Sequence, residues 1–555
     1  MSDLSESPSP STSQLLSSEV TSCSSYKGGL GQGGENTASR STTPSMHLSP
    51  MTFPQSQSSL LRAPSEIIQR VLVLSGSQCI TTVARMARSC RDLKQYVYGD
   101  SDQALWRDIH DMIYDNPRVA GTYPDQRKTD EIDWRKKIQD REFVGRMFRE
   151  WDEDKFPEVA RHLDLVLETL LDMYLDLPAS VSYENSDPHA THDSRNVHFL
   201  NSYLRTPLFA YIYHHLRLAE TKQVLRPLPG QVGNPNRRTD RRVMNPILSR
   251  LHCLMPPEYD DATVEDREWR GYVREVVYNG KNFQERNDWG PFREDGKVDW
   301  TLVDAISSVM MSNAKEVLES EDDGSWREAI HPMSFGVEAV RGWGYEHLQR
   351  PADLPEGEVW DWAGVQGLWC GSYAFLDYAD WVSLNEPRLI LLRGRITSLD
   401  LTRYHEAVGD LMRLNLVVDK QPTTTPTATT SSSDTSTSTS TSSGSTKLRP
   451  IETALPTLDL LPPIHFHGDS VQHHGASTYP LQTPMSFVRG VVRLTADNPP
   501  QVRWTLVIRY GNEDRWRLEC VQVGGRGSKR GFFGIWTDAL KEEHSPNGPI
   551  WYWKA

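Results

Sequence analysis

The 555-residue sequence lacks the long apolar run that a membrane-spanning helix requires. A bilayer core needs about 20 consecutive apolar residues, and no stretch approaches that length. The amino-terminal residues are polar and Ser-rich rather than basic and then apolar, which argues against a secretory signal. We therefore expect a cytoplasmic or nuclear protein that has no membrane partner.

Cysteine is scarce and shows no paired spacing. The six cysteines are Cys23, Cys79, Cys90, Cys253, Cys370 and Cys520. Scattered positions of this kind argue against both a disulfide framework and a zinc site. His465 and His467 would share one face of a strand, with His473 and His474 close behind, but no cysteine or well-spaced carboxylate completes a ligand set. We expect reduced thiols, no metal and no cofactor.

Positive charge is in deficit, with a formal net charge of −14. Nucleic acid selects basic surfaces, so the balance argues against a nucleic-acid partner. One local exception is the pair of dipeptides Arg237-Arg238 and Arg241-Arg242. They could form a nuclear import signal or a patch for an acidic partner, or could belong to a solvated loop.

Signatures of catalysis are missing as well. The sequence contains no G-x-S-x-G elbow, P-loop or H-E-x-x-H motif. Glu513 and Asp514, at a Gly-Asn turn, and Glu519 come nearest to an acid/base pair, which beside tryptophans would suit glycoside hydrolysis. We expect a protein that carries out no covalent chemistry.

Large apolar side chains are rare in two stretches. Residues 1–58 are rich in Ser, Pro and Gly, and residues 422–446 are almost entirely Thr and Ser. Neither stretch can bury enough apolar surface to offset the entropy of ordering, so we expect a disordered arm and a disordered insertion.

Three short amphipathic helices are predicted within residues 59–112. Pro64 suits a first helical turn, and Ile67, Ile68, Val71 and Leu72 follow at helical spacing, with Ser75-Gly76 as the expected end. A second helix carries apolar residues from Ile80 through Val83 to Cys90, and a third begins near Leu93. Fifty residues bury little surface, so a partner is expected.

The segment resembles an F-box, the helical module that docks on the Skp adaptor of a cullin ubiquitin ligase. The resemblance lies in Pro64-Ser65-Glu66-Ile67-Ile68, Val71-Leu72, Cys90-Arg91-Asp92-Leu93 and Leu105-Trp106-Arg107. It implies the following adaptor-binding residues: Pro64, Glu66, Ile67, Ile68, Val71, Leu72, Val83, Cys90, Leu93, Leu105 and Trp106. The alternative is an ordinary helical piece of a larger core.

The next 220 or so residues, 113–335, read as a mainly helical linker domain. Helical apolar spacing covers the residue ranges 134–151, 157–177, 197–224, 263–278 and 299–318. The broad stripe of the second of these predicts that it packs on a core.

Residues 336–555 change to strand patterns. Short aliphatic and aromatic segments bounded by Gly, Pro and Asn are predicted at residues 367–373, 388–396, 415–418, 487–494, 502–510, 515–523, 531–536 and 550–553. Because strands lie on both sides of the Thr/Ser insertion, one β domain is expected, with a barrel or strongly curved sheet removing exposed edges. The overall fold class is therefore α+β and multidomain, with a C-terminal antiparallel β-barrel-like domain.

This region resembles the C-terminal β-barrel domain of F-box-only proteins of the F-box only protein 31 type. The residues concerned include Gly367-Leu368-Trp369, Tyr510-Gly511-Asn512-Glu513-Asp514 and Gly548-Pro549-Ile550-Trp551-Tyr552-Trp553. In such relatives the domain binds cyclin-type substrates through their C-terminal tails, which implies a substrate with a degron as partner.

Aromatic walls and fixed cations suit degron recognition. The candidates are Trp369, Tyr373, Arg489, Arg503, Trp504, Trp516, Arg526, Trp536, Trp551 and Trp553. Most of these tryptophans could equally be barrel core. The loop 524–531, with Arg526, Lys529 and Arg530, is expected to be mobile and to face the substrate.

The function implied is a substrate receptor of a Skp-cullin-F-box ubiquitin ligase, with the adaptor and, through it, a cullin as partners. Two alternatives stay open. One is an F-box scaffold that acts without ubiquitination, and the other is a barrel that binds a small ligand or hydrolyses one.

Overall fold

A computed structural model describes most of the chain after residue 61. The described residues are 62–78, 80–99, 103–117, 132–178, 194–213, 245–254, 264–320, 325–330, 335–341, 350–355, 358–386, 388, 406–419, 450–470, 486–541 and 545–555. Several predictions fall outside them: the arm 1–58, the insertion 422–446, the arginine pairs at 237–242, His473, His474 and nearly all of the strand at 388–396.

The first helices form a small unit around one apolar core. Their bounds are α1 Ser65–Gln78, α2 Ile80–Ala87, α3 Arg91–Tyr98 and α4 Ala104–Ile113. Ile68, Leu72, Val83, Leu93 and Trp106 are buried together in this core. Cys90 caps α3, because its Sγ accepts a hydrogen bond from the Leu93 amide at 3.4 Å.

The prediction that Ser75-Gly76 ends the first helix is wrong, since α1 continues to Gln78. Gly76 is buried, and a Cβ built there would lie 2.8 Å from Ile109 Cδ1 and 2.9 Å from Val83 Cγ2. Glycine is therefore used for close helix packing rather than as a helix stop.

In the described part of the middle region, helices overlap all five predicted ranges, whereas residues 214–224 of the range 197–224 lie outside the described residues. Its helices are α5 Trp134–Arg149, α6 Phe156–Arg161, α7 Leu163–Leu175, α8 Arg195–Leu204, α9 Pro246–His252, α10 Val264–Val277, α11 Trp300–Ser320 and α12 Ser325–Ala329. Side chains cap several of them, as Asp133 does for α5, Ser194 for α8 and Asn245 for α9. Each cap satisfies amide donors of the first turn.

Eight strands close into an antiparallel barrel, because the first strand pairs with the last. The strands are β1 Gly367–Phe375, β2 Ala407–Val408, β3 Met412–Val418, β4 Thr457–Leu458, β5 Ile464–Ser470, β6 Ser486–Thr495, β7 Val502–Tyr510, β8 Glu513–Gln522, β9 Phe532–Asp538 and β10 Gly548–Lys554. The two-residue strands β2 and β4 lie outside the closed ring, and helix α13, Tyr378–Asn385, follows β1. The α+β class and the barrel are thereby confirmed.

The barrel and the helical region share one hydrophobic core. Side chains alternate along each strand, so Cys370, Phe533 and Trp551 point outward from the barrel. These residues belong to the same buried cluster as Val303 and Ile306 of α11. The helical region is thus packed directly on the barrel wall, and the described residues within Leu60–Ala555 form one compact unit.

Candidate partner-binding surfaces

Helix α1 carries apolar residues on two sides. Ile68, Leu72 and Gly76 face the core, whereas Ile67 and Leu74 are 53% and 43% exposed. Half-buried Val71 lies four residues after Ile67 and three before Leu74, so these three residues share one face. The sequence pattern had placed Ile67, Ile68, Val71 and Leu72 on one stripe. Successive residues of a helix point in directions about 100° apart around its axis. The four residues therefore divide between a buried face, with Ile68 and Leu72, and an outer face, with Ile67 and Val71.

We call Pro64, Ile67, Val71 and Leu74 the outer stripe of α1. Pro64 is exposed immediately before the helix, so the apolar surface extends beyond its first turn. Tyr96 and Tyr98 of α3 and Met112 of α4 are further large apolar side chains exposed on this unit. Grouped exposed apolar residues commonly mark an interaction site.

The predicted adaptor-binding residues divide by burial. Pro64, Glu66 and Ile67 are exposed, and Val71 and Cys90 are half-buried. The other six, Ile68, Leu72, Val83, Leu93, Leu105 and Trp106, form the core of the four-helix unit. The buried set can support a docking face by fixing its shape, and only the first set is open to direct contact.

The barrel lumen is filled by rings. The Trp504 ring lies 5.1 Å from the Trp369 ring and 4.5 Å from the Phe532 ring, and Phe532 lies 5.3 Å from Tyr552, centroid to centroid. A Cβ on Gly371 would lie 2.2 Å from the Tyr552 ring, so the lumen is closely packed at this position. This packing disfavours the small-ligand barrel, which requires a cavity in the lumen.

The predicted substrate-binding residues do not form one site. Trp369 and Trp504 lie in the lumen, and Trp551 and Trp553 lie on the outer wall beneath the helices. The Trp551 Nε1 donates to the Arg530 carbonyl at 2.9 Å. Arg489 lies on the outer wall and donates to Asp514 Oδ2 at 2.7 Å.

Three of the predicted residues meet at one end of the barrel. Half-exposed Tyr373 and Trp516 both contact the Trp536 ring edge to face, at centroid distances of 5.6 and 5.0 Å. Phe375 stacks on Tyr373 at 6.2 Å, and Tyr510 is exposed at the same end. Burial raises the pKa of Tyr373, and nearby Asp410 adds to the effect.

We call Tyr373, Phe375, Tyr510, Trp516 and Trp536 the aromatic rim. Arg515 adds a cation, because its guanidinium carbon lies 4.7 Å from the Trp516 ring centroid and it pairs with Asp538 at 3.3 Å. Phe375, Tyr510 and Arg515 were missed from the sequence. The sequence indicated that these residues lie near the ends of strands. It did not indicate which end of the barrel is left uncovered, because that depends on contacts between residues far apart in the chain.

The loop 524–531 is not the exposed element that was expected. Residues 524–528, 530 and 531 are buried, which contradicts the prediction. Arg530 Nη1 donates to the Cys253 carbonyl at 3.0 Å, and its Nη2 donates to the Leu254 and Gly336 carbonyls at 2.7 and 2.8 Å. The loop therefore joins the barrel to the end of α9, and buried Arg526 is not open to a substrate.

Arg503 and the carboxylate Glu519 belong to a buried ion network on the outer wall. Glu519 Oε2 accepts from Arg503 Nη2 at 2.7 Å and from Thr505 Oγ1 at 2.9 Å, and its Oε1 accepts from Arg517 Nη2 at 2.6 Å. Arg503 also pairs with Asp288. Burial opposes ionisation of Asp288, but Arg503 and a hydrogen bond from Thr453 hold its pKa below the ordinary value of an aspartate.

This network engages Glu519, one of the carboxylates that the sequence offered as an acid/base pair. Glu519 is held by two arginines and Asp514 by Arg489, so neither carboxylate is placed for hydrolysis.

His467 binds Asp419 at 2.7 Å, and within the described ranges no group of three or more His, Cys, Asp or Glu side chains could hold a metal ion. No helix in the described part of the chain is long and apolar enough to cross a membrane.

Comparison with known proteins gave no match: no family model fits the chain, and neither the curated proteins nor the solved structures contain a significant relative.

Proposed function

We propose that the chain is the substrate receptor of a Skp-cullin-F-box ubiquitin ligase, docking on the adaptor through α1–α4. The observation that carries the proposal is the outer stripe of α1. It lies within a helical unit whose sequence resembles an F-box, and it exposes apolar surface that a partner would bury. Ile67 and Leu74 are about half exposed, so burying the rest of the two side chains would contribute about 1.5 to 3 kcal/mol.

The second half of the proposal assigns substrate binding to the aromatic rim. The accessible rings of the rim, those of Tyr373, Phe375, Tyr510 and Trp516, would supply contact area at low entropic cost, and Arg515 would supply a charge for orientation. The protein would contribute to ubiquitin transfer by proximity, holding the substrate near enzymes that other subunits recruit.

The test of adaptor docking is the double variant Pro64→Ala with Ile67→Ala, expressed as the full chain in cells. Both residues are exposed, so the variant should fold and yet lose co-purification of the Skp adaptor. Lys94→Ala, an exposed change on α3, is the control and should retain it. Undiminished adaptor recovery with the double variant contradicts the assignment. Recovery of the adaptor without any cullin would instead favour a scaffold that acts without ubiquitination.

A further inference from the structure

Helix α5 belongs to two hydrophobic cores. Its buried residues lie at positions 134, 138, 141, 144, 145 and 148, which is one stripe along the whole helix. Trp134 and Ile138 pack into the core of α1–α4. Val144 and Phe148 pack into the core that contains the outer wall of the barrel. A single uninterrupted helix therefore links the two cores.

Arg141 stands where the stripe passes from one core to the other, and only 1% of its surface is exposed. Its Nη1 lies 3.0 Å from His110 Nε2 on α4. Its Nη2 donates to Asp172 Oδ2 at 3.0 Å and to Asp176 Oδ2 at 2.6 Å, near the end of α7. Lys137 pairs with both aspartates at 2.7 Å. One guanidinium thus joins three helices.

The protonation state of His110 is consistent with its contact with Arg141. Burial lowers its pKa, against the effect of Asp111, and Arg141 and Lys137 lower it further. A neutral ring whose Nε2 faces a guanidinium donor carries its proton on Nδ1, which lies 3.4 Å from Asp111 Oδ1. His110 therefore acts as a hydrogen-bond acceptor for Arg141.

A second link joins α4 to α8. Asp115, just after α4, accepts hydrogen bonds from Ser194 Oγ at 2.5 Å and from the amides of Arg195 and Asn196, both at 3.1 Å. In return, Arg195 Nη1 donates to the Asp111 carbonyl at 2.6 Å. The end of one helix and the start of the other thus cap each other.

We infer that α1–α4 and the barrel-bearing body move as one rigid body, with Arg141 as the positioning residue that fixes how a barrel-bound substrate is presented. The part of this inference that concerns substrate presentation rests on the proposed function, whereas the rigid connection between α1–α4 and the barrel-bearing body does not. A buried, directional ion cluster permits one arrangement of its helices, because any other leaves a charge unpaired. The benefit of proximity depends on such fixed geometry.

The test measures the distance between site-specific labels introduced with non-canonical amino acids at exposed residues 88 and 512 of the full chain. The native protein should give one narrow distribution. Arg141→Met should broaden it, while Lys136→Met, an equal charge change at an exposed position of α5, should leave it narrow. A broad native distribution, or a narrow one for Arg141→Met, overturns the inference.

Arg141→Met removes the guanidinium from buried Asp176 and half-exposed Asp172, which keep Lys137, and could unfold the junction. If its thermal transition is lost, the double variant Asp115→Ala with Arg195→Ala decides, because it removes the second link at half-buried and exposed positions. That variant should also broaden the distribution. An unchanged width in a folded variant counts against the rigid coupling.

The functional readout is self-ubiquitination of the chain in a mixture of purified adaptor, cullin–RING ligase and charged E2. Arg141→Met should bind the adaptor as tightly as the native chain yet transfer ubiquitin about tenfold more slowly. Equal rates overturn the positioning role. Failure of the native chain to bind the adaptor contradicts the proposed function instead, and leaves the distance measurement to judge the rigidity.

Discussion

Replacing Glu519 by Gln offers the strongest test of the buried ion network. The side chain is 1% exposed and accepts five hydrogen bonds, four from Arg503 and Arg517 and one from Thr505. Gln keeps the shape but removes the charge, and its amide nitrogen must face one of the two arginines. Hydrogen bonds to charged groups contribute about 1.5 to 3 kcal/mol each, and breaking a buried pair costs about 3 to 5 kcal/mol. We expect a loss of about 3 to 5 kcal/mol in the free energy of unfolding.

The assay is urea denaturation of the full chain, followed by tryptophan fluorescence. Asp514→Asn is the matched control, because it makes the same charge change on the same barrel wall. Asp514 is 17% exposed and accepts one hydrogen bond, from Arg489, so its loss should cost about 1 kcal/mol or less. A difference between the two variants below about 1 kcal/mol would refute the view that the buried ion network stabilises the fold.

Three further predictions concern the lumen, the junction and the rim. Gly371→Ala should destabilise the barrel by about 1 to 3 kcal/mol, since the new methyl meets the Tyr552 ring at 2.2 Å, and urea denaturation checks this. The contribution of neutral His110 to stability should be fully present above pH 6.5 and decrease below it. The pKa of His110 is lower in the folded chain than in the unfolded chain, so the unfolded chain takes up the proton first. His110→Gln should weaken this pH dependence, as denaturation at a series of pH values would show. Tyr373→Ala with Trp516→Ala should leave adaptor binding intact but prolong the half-lives of the same proteins that the Pro64→Ala, Ile67→Ala variant prolongs, as proteome-wide turnover measurements would show.

Local patterns predicted the elements well. The strand at 502–510 was found as β7, Val502–Tyr510, with the expected alternation of Trp504, Leu506 and Ile508 against Arg503 and Thr505. The sequence did not reveal that the polar face is buried too. Arg503 is covered by Asp288, which lies 215 residues earlier in the chain, and no local pattern reports such a contact.

The surfaces were harder to predict than the elements. On α1, the apolar pairs Ile67-Ile68 and Val71-Leu72 indicated a helix, but the packing of α2 and α4 against it decides which member of each pair is buried. In the barrel, Trp369 and Trp516 have the same chemistry and differ in depth, which follows from strand offset and from what covers each end. The loop 524–531 illustrates the same difficulty of predicting burial from sequence. Its glycines and cations are typical of a binding loop, and only the packing of the helices against it shows that it is buried.

Direct binding of the purified full chain to the purified Skp adaptor tests the central claim most directly. Titration calorimetry should show a one-to-one complex, and its heat should disappear with the Pro64→Ala, Ile67→Ala variant while the Lys94→Ala chain binds as the native one does. Absence of heat and of a complex with the native chain would contradict the account, as would native affinity in the double variant.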